Sequence, residues 1–446
     1  MNINFQNCQT VFDFNILELK DKFLLIHKDL PKFFFTNSTG IHVLKSFEKN
    51  PDPEAISKSL HDKYNISMDV ARQDTKQYIE QFHRFDLFLD EARSYSKLED
   101  IKPEIKRLNI NLTSGCNLSC IHCGAQNTTN RINFLDKKIV NKIIVGFLYS
   151  ENKSIVFTGG EPMLHPDWLD IIELSQSYGR TILASNCTLL KKEEIKRLAD
   201  MNVIMQVSLE SPRAEMNDKI RGKGNFNKVL ENLKLLVDHD MGDRIAICMT
   251  LTKFNAHEVK EMVDFTKSLG ISSFRLLPLQ KINRAVKNWG IINPSQKDLE
   301  NAYRTFYRIL TGSSDNMNVQ GGIPGLYLNF WKKSMWCQIG TSINIDDQQN
   351  VYPCSLLMNK NFYLGNLEMD SLEKIENSVT LKKLIQQFYN RKKLITKCSK
   401  CAMRSICQGG CPGTVWNDYG DIYNPDDLCA LRVKQFVNLL TNFDSS

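Results

Sequence analysis

Thirteen cysteines in 446 residues limit what this chain can fold into more than any other feature, because most of them are grouped. Cys116, Cys120 and Cys123 form one group. Cys337, Cys354, Cys398, Cys401, Cys407, Cys411 and Cys429 form a second, and Cys8, Cys187 and Cys248 stand outside both. The opening residues, MNINFQNCQTVFDF, lack a basic segment followed by an apolar one, and no apolar run is long enough to span a bilayer. A cytoplasmic location without membrane insertion is therefore expected. In that reducing setting grouped cysteines serve metal binding or catalysis rather than a disulfide framework.

The chain divides into three territories, as expected for 446 residues at 42% hydrophobic, which exceed what one core fills. In residues 1–98 the runs KFLLIHK and KFFFTN read as short strands, with Asn37 and Gly40 as a turn, ahead of helical patterns. In residues 99–320 the runs RLNINL, SIVFTG, RTILAS, VIMQVSLE, RIAICMTL and FRLLP alternate with amphipathic stretches such as LDKKIVNKIIVGFL. That alternation predicts an α/β fold, a partial (β/α)6 barrel with its chemistry at the carboxyl ends of the strands. Residues 321–446 are rich in cysteine and poor in long periodic segments, which predicts a metal-stapled domain. The basic run from Lys382 to Arg404 reads as a solvated helix face. A net charge of +7 is too mild to argue for a nucleic-acid partner.

Cys116, Cys120 and Cys123 lie in TSGCNLSCIHCGA, directly after RLNINL, with the spacing C-x3-C-x2-C. Three thiolates on one loop can hold three irons of a 4Fe-4S cluster and leave the fourth open. A structural zinc site needs four closed ligands, which only His122 stands near enough in sequence to complete.

This motif, placed after the first barrel strand, resembles that of the radical S-adenosylmethionine (SAM) superfamily, and the resemblance continues along the barrel. TGGEP, with Gly159, Gly160 and Glu161, stands where that family meets the methionyl amine of SAM. Glycine suits a close backbone approach there. Ser208 and Arg221 match positions that hold the methionyl carboxylate, and Leu276 or Leu277, with Leu276 preferred, matches an adenine contact. The resemblance implies an oxygen-sensitive enzyme whose first step needs no protein acid or base, because the cofactor carries the hard chemistry.

The second group reads C-x16-C, then C-x2-C-x5-C-x3-C, then C-x17-C, and resembles the SPASM domain of radical SAM peptide maturases. A pair of zinc sites is the competing reading, since such sites also use C-x2-C pairs. The resemblance implies that Cys398, Cys401, Cys407 and Cys429 close one auxiliary 4Fe-4S cluster and that Cys337, Cys354 and Cys411 hold another. Three 4Fe-4S clusters are then expected in all, one with an iron that lacks a protein thiolate. The run FLLIHKDLPKFFFTNSTGIHVLKSF resembles the recognition element with which such enzymes grip a leader peptide, where the leader adds a strand beside the third strand of the module.

Together these resemblances imply a maturase of a ribosomally made precursor peptide, of the sactipeptide and ranthipeptide type. It would join a cysteine sulfur to a carbon of another residue, drawing electrons from a donor such as flavodoxin or ferredoxin. Carbon-carbon crosslinking or epimerisation is the alternative, and a non-catalytic zinc protein is a third reading. Three positions depart from the pattern: Cys187 where S-N-G is usual, Gln349 where a glycine precedes Cys354, and Asn283 where a glycine precedes Arg284. Ser355, where sulfatase-maturing relatives have an aspartate base, disfavours that activity.

Overall fold

The computed structural model describes residues 9–11, 14–19, 22–29, 32–84, 98–125, 132–149, 152–312, 317–326 and 337–442. Cys8 and residues 85–97, which close the first territory, lie outside them. Among the described residues no helix is long and apolar enough to cross a membrane.

The N-terminal sheet runs in the order β1 (Gln9–Val11), β2 (Phe14–Glu18), β3 (Phe23–His27) and β4 (Phe33–Thr36), with every neighbour antiparallel. Alternation gives the sheet two apolar faces. Phe14, Ile16, Leu25 and Phe34 join one cluster with residues of the helices Ser38–Lys49, Pro53–Tyr64 and Met68–Arg84. Leu17, Leu24 and Ile26 pack into the main core of the protein. Asn37 does not turn the chain as the sequence suggested. Its side chain caps the first helix by accepting the Gly40 N–H at 2.9 Å, and Gly40 belongs to that helix.

The six expected strands all form, as β5 (Arg107–Thr113), β6 (Ser154–Gly159), β7 (Arg180–Ser185), β8 (Val203–Ser208), β9 (Ile245–Thr250) and β10 (Ser273–Leu277), parallel throughout and paired in chain order. Buried parallel strands usually read as near-continuous apolar runs. Here β5 alternates instead: Leu108, Ile110 and Leu112 are fully buried in the core, while Arg107, Asn109 and Asn111 face a lumen. The barrel interior is therefore a polar cavity rather than a packed core.

The C-terminal territory is tied into the same sheet. After β11 (Asn318–Gly321), parallel to β10 and spanning residue 320, β12 (Ser342–Ile345) pairs in parallel with β5. The antiparallel strands β13 (Asn350–Tyr352) and β14 (Gly365–Asn366) follow it. The basic run is not a solvated face: Arg391 and Lys392 are each only 1% exposed. Lys392 Nζ donates to the Asp29 carbonyl at 2.8 Å and Arg404 Nε to the Lys28 carbonyl at 3.1 Å, which seats the N-terminal sheet on the C-terminal domain.

The three departures share one cause. Cys187, Gln349 and Asn283 all adopt positive φ, at 57°, 67° and 48°. The left-handed backbone that favours glycine is kept in this chain without the glycine. Asn283 uses its side chain as well, donating to the Gly124 carbonyl at 2.7 Å beside the cysteine loop.

Candidate cluster and cosubstrate site

The cysteine loop follows β5 and is held from three sides. Below it, Gly160 donates to the Thr113 carbonyl at 2.9 Å and Glu161 N–H to the Gly115 carbonyl at 2.8 Å. A Cβ on Gly160 would stand 1.9 Å from the Gly115 oxygen. The close approach that demands glycine in TGGEP is thus one to the cysteine loop itself, where the sequence suggested one to the cosubstrate. From the side, Asn186 donates to Asn117 at 2.9 Å and Asn117 to Thr188 at 2.8 Å. From the helix Arg284–Ile292 that follows β10, Arg284 donates to the Cys120 carbonyl at 3.2 Å and Asn288 to the Ile121 carbonyl at 2.9 Å.

Cys116, Cys120 and Cys123 share one cavity of about 1200 Å³ with Gly159, Gly160, Ser208 and Arg221. The Glu161 side chain turns away from that space and is buried. Its carboxylate accepts from Met163 N–H at 3.1 Å, Ser185 Oγ at 2.7 Å and Asn186 N–H at 2.7 Å. It positions the loops after β6 and β7. Leu276 is fully buried in the core, because side chains alternate along β10 and Phe274, Leu276 point outward. The leucine that reaches the cavity is Leu277.

Glu210, not singled out in the sequence, and His122, considered there only as a zinc ligand, complete the geometry. Glu210, two residues beyond β8, is wholly buried and accepts from Arg221 Nε at 3.0 Å and Nη2 at 2.5 Å, and from Thr250 N–H at 2.6 Å. His122 Nε2 stands 3.2 Å from the same carboxylate. Burial alone would raise the Glu210 pKa, but Arg221 and His122 outweigh it and hold the carboxyl down at about 2. Burial works against charge on Arg221, and Glu210 and Cys120 keep it protonated. A strand-end acid eleven residues before an arginine was the only trace of this pair in the sequence. His122 meets Glu210 through Nε2, and its Nδ1 is buried without a hydrogen-bond partner.

The ligand-like cysteines gather as three sets. Burial, Glu161, Cys120 and Cys123 push Cys116 up to about 11. Burial and then Cys407, Cys429 and Cys401 push Cys398 up to about 12. Burial and Cys411 push Cys337 up to about 12, and Cys354 is raised by burial, Cys411 and Cys337. Crowded thiols like these lose their protons when a cation coordinates them, and the grouping fits the three cysteine sets read from the sequence as cluster ligands. Among the described residues no three or more His, Cys, Asp or Glu side chains converge on a single ion position. Cys187 and Cys248 are buried and join none of the sets.

Residues 110–266 match the radical SAM superfamily and residues 337–402 match SPASM, an iron-sulfur cluster-binding domain. The antilisterial bacteriocin subtilosin biosynthesis protein AlbA of Bacillus subtilis is 29% identical over 305 residues, covering 67% of this chain and 65% of its own length, just under two thirds. The AdoMet-dependent heme synthase of Methanosarcina barkeri is 25% identical over 344 residues, 72% of this chain and 95% of that protein. In fold, SuiB of Streptococcus suis bound to S-adenosylmethionine matches 94% of this chain and 100% of its own, with a TM-score of 0.62 at 18% identity. The chain thus joins a radical SAM domain to a SPASM-type iron-sulfur cluster-binding domain.

Proposed function

We propose that this chain matures a ribosomally made precursor peptide by forming thioether crosslinks, using SAM, three 4Fe-4S clusters and a protein reductant such as flavodoxin or ferredoxin. The observation that carries the reading is where the two auxiliary sets lie. Cys354, from the set of three, lines the large cavity with Ser355 and Leu356, and no member of the set of four does so. The set that is one thiolate short is thus the one beside the cosubstrate residues, with room for a sulfur brought by the substrate. With SAM bound, the reduced first cluster supplies the radical that removes hydrogen from the substrate. The chain's own part is positional. Glu210 orients Arg221, Ser208 and Leu277 face the cosubstrate space, and Gly160 and Glu161 fix the loop that holds the first cluster.

Peptide as substrate is supported by AlbA, whose name assigns it to bacteriocin biosynthesis, and by SuiB, which has been solved with its precursor peptide SuiA. The heme synthase is matched almost whole by 72% of this chain, whereas SuiB takes in 94% of it, which favours the peptide class. The test is mass spectrometry of the peptide encoded beside the gene. Each linkage should remove two hydrogens and leave the cysteine resistant to alkylation even after added thiol, since a thioether does not exchange as a disulfide does. A peptide whose acceptor cysteine is replaced by alanine should remain unlinked. Loss of two hydrogens from that cysteine-free peptide would instead assign carbon-carbon coupling.

The leader is proposed to add a strand to the N-terminal sheet, and the topology narrows where. The third strand in chain order, β3, is interior, and the sheet ends at β1 and β4. His27 N–H donates to the Lys32 carbonyl at 2.9 Å, which sets the ladder so that Phe34 pairs inward with Leu25 and the N–H groups of Phe33 and Phe35 point away from β3. Phe35→Pro should therefore weaken leader binding about tenfold or more by deleting one outward donor, while the β3–β4 ladder stays intact. Phe34→Pro would damage the module itself. Unchanged leader affinity in Phe35→Pro, measured by fluorescence anisotropy, would exclude β4 as the docking edge.

A further inference from the structure

Beside and below the cosubstrate residues, the lumen carries two arginines for which the proposed function has no use. Arg107 rises from the first residue of β5, and Arg275 projects from β10, where its backbone pairs with Cys248, itself paired with Ser208. Both line the same cavity as the cysteine loop. Arg275 Nε is buried without a hydrogen-bond partner. Arg107 has a single weak contact, Nε to Ser154 Oγ at 3.3 Å. Burial, and then the positive charges of Arg275 and Arg180, push the Arg107 pKa down.

The carboxylates that could neutralise this pair are committed elsewhere. Asp346 Oδ1 accepts the N–H groups of Gln348 and Asn350 at 2.9 and 2.8 Å, Asp347 Oδ2 accepts that of Ser114 at 3.1 Å, and Glu210 holds Arg221. Among the described residues neither Arg107 nor Arg275 forms an ion pair with a carboxylate. Two like charges lining one partly dry lumen, close enough for Arg275 to lower the Arg107 pKa, are unfavourable unless an anion joins them. Guanidinium forks match a carboxylate in both charge and geometry.

We propose that Arg107 and Arg275 form a carboxylate-binding subsite for the substrate, so that the peptide carries an acidic side chain or its terminal carboxylate close to the modified residue. The inference rests on the peptide reading above, and its test does not require a peptide to be processed. Three probes distinguish the sources of the carboxylate: N-acetylglutamate amidated at its α-carboxyl, N-acetylglutamine, and N-acetylglutamine amide, which has no acid. They are titrated calorimetrically into the reconstituted, SAM-loaded enzyme. One of the two acids should bind about tenfold or more tighter than the amide, because charge-assisted hydrogen bonds are roughly twice as strong as neutral ones. Arg107→Gln and Arg275→Gln should each erase that preference, and Arg275→Lys should retain part of it. Equal binding of all three probes, or a preference that survives both glutamine variants, would overturn the subsite. Loss of SAM affinity in both variants would assign the pair to the methionyl carboxylate and equally overturn it.

Discussion

Anaerobic reconstitution should load about twelve irons per chain, four for each of three cysteine sets, with the brown colour of thiolate-ligated clusters. Replacing Cys116, Cys120 and Cys123 together by alanine should remove about four of these and abolish SAM cleavage, leaving the C-terminal sets filled. The separation is expected because the first set hangs on the loop after β5 and is braced by Gly160, Asn186 and Arg284. None of those braces involves a cysteine of the other two sets. Iron and sulfide analysis with ultraviolet-visible spectra decides it. Zinc in place of iron would sink the assignment, and loss of eight irons in the triple variant would show that the sets are not independent.

The second large effect centres on Arg391. Its guanidinium is buried and donates to four carbonyls, those of Ile422 at 2.7 Å, Gln408 at 2.7 Å, Gly410 at 2.9 Å and Asn424 at 2.8 Å. Gln408 and Gly410 separate Cys407 of one auxiliary set from Cys411 of the other, so one side chain fixes the backbone between the two sites. Arg391→Met keeps the apolar stem and removes every donor. Each buried carbonyl left without a partner costs about 1–3 kcal/mol, so the domain should lose on the order of 4 kcal/mol or more. The variant should retain about four irons and SAM cleavage while losing about eight. Arg391→Lys should rescue little, because an ammonium on a flexible stem cannot reproduce a planar fork that reaches carbonyls on two sides. Full iron content and an unchanged melting temperature in Arg391→Met would show that the domain is held by other contacts.

Arg391 also marks a limit of sequence reading. Within Lys382–Arg404 it looks like one more charge on a basic helix, and the helix does form, over Val379–Leu394. Whether a basic side chain is solvated depends on what folds over it. The carbonyls that cover Arg391 come from residues 17 to 33 positions away, and the one that covers Lys392 comes from 363 positions away. The same holds for Glu210, which was visible only as a polar residue at a strand end. Leu277 was within reach: alternation along FRLLP places Arg275 and Leu277 on one face, so a polar lumen at Arg275 implies a cavity position for Leu277.

The spacing of the cysteines and the two-residue and helical periodicities are local properties. The sequence by itself therefore determined the six barrel strands and the two cysteine groups, whereas the positive φ at the three departures was seen only in the structure. Contacts between distant segments were left to the tertiary structure. It decided that β12 closes onto β5, that Cys354 rather than the four-cysteine set meets the cavity, that Arg221 is held by Glu210, and that Arg107 and Arg275 share a lumen without a carboxylate partner among the described residues. The reason is physical. A repeat records which side of its own element a residue takes, but the energy of a buried charge depends on partners that only the folded chain brings within reach.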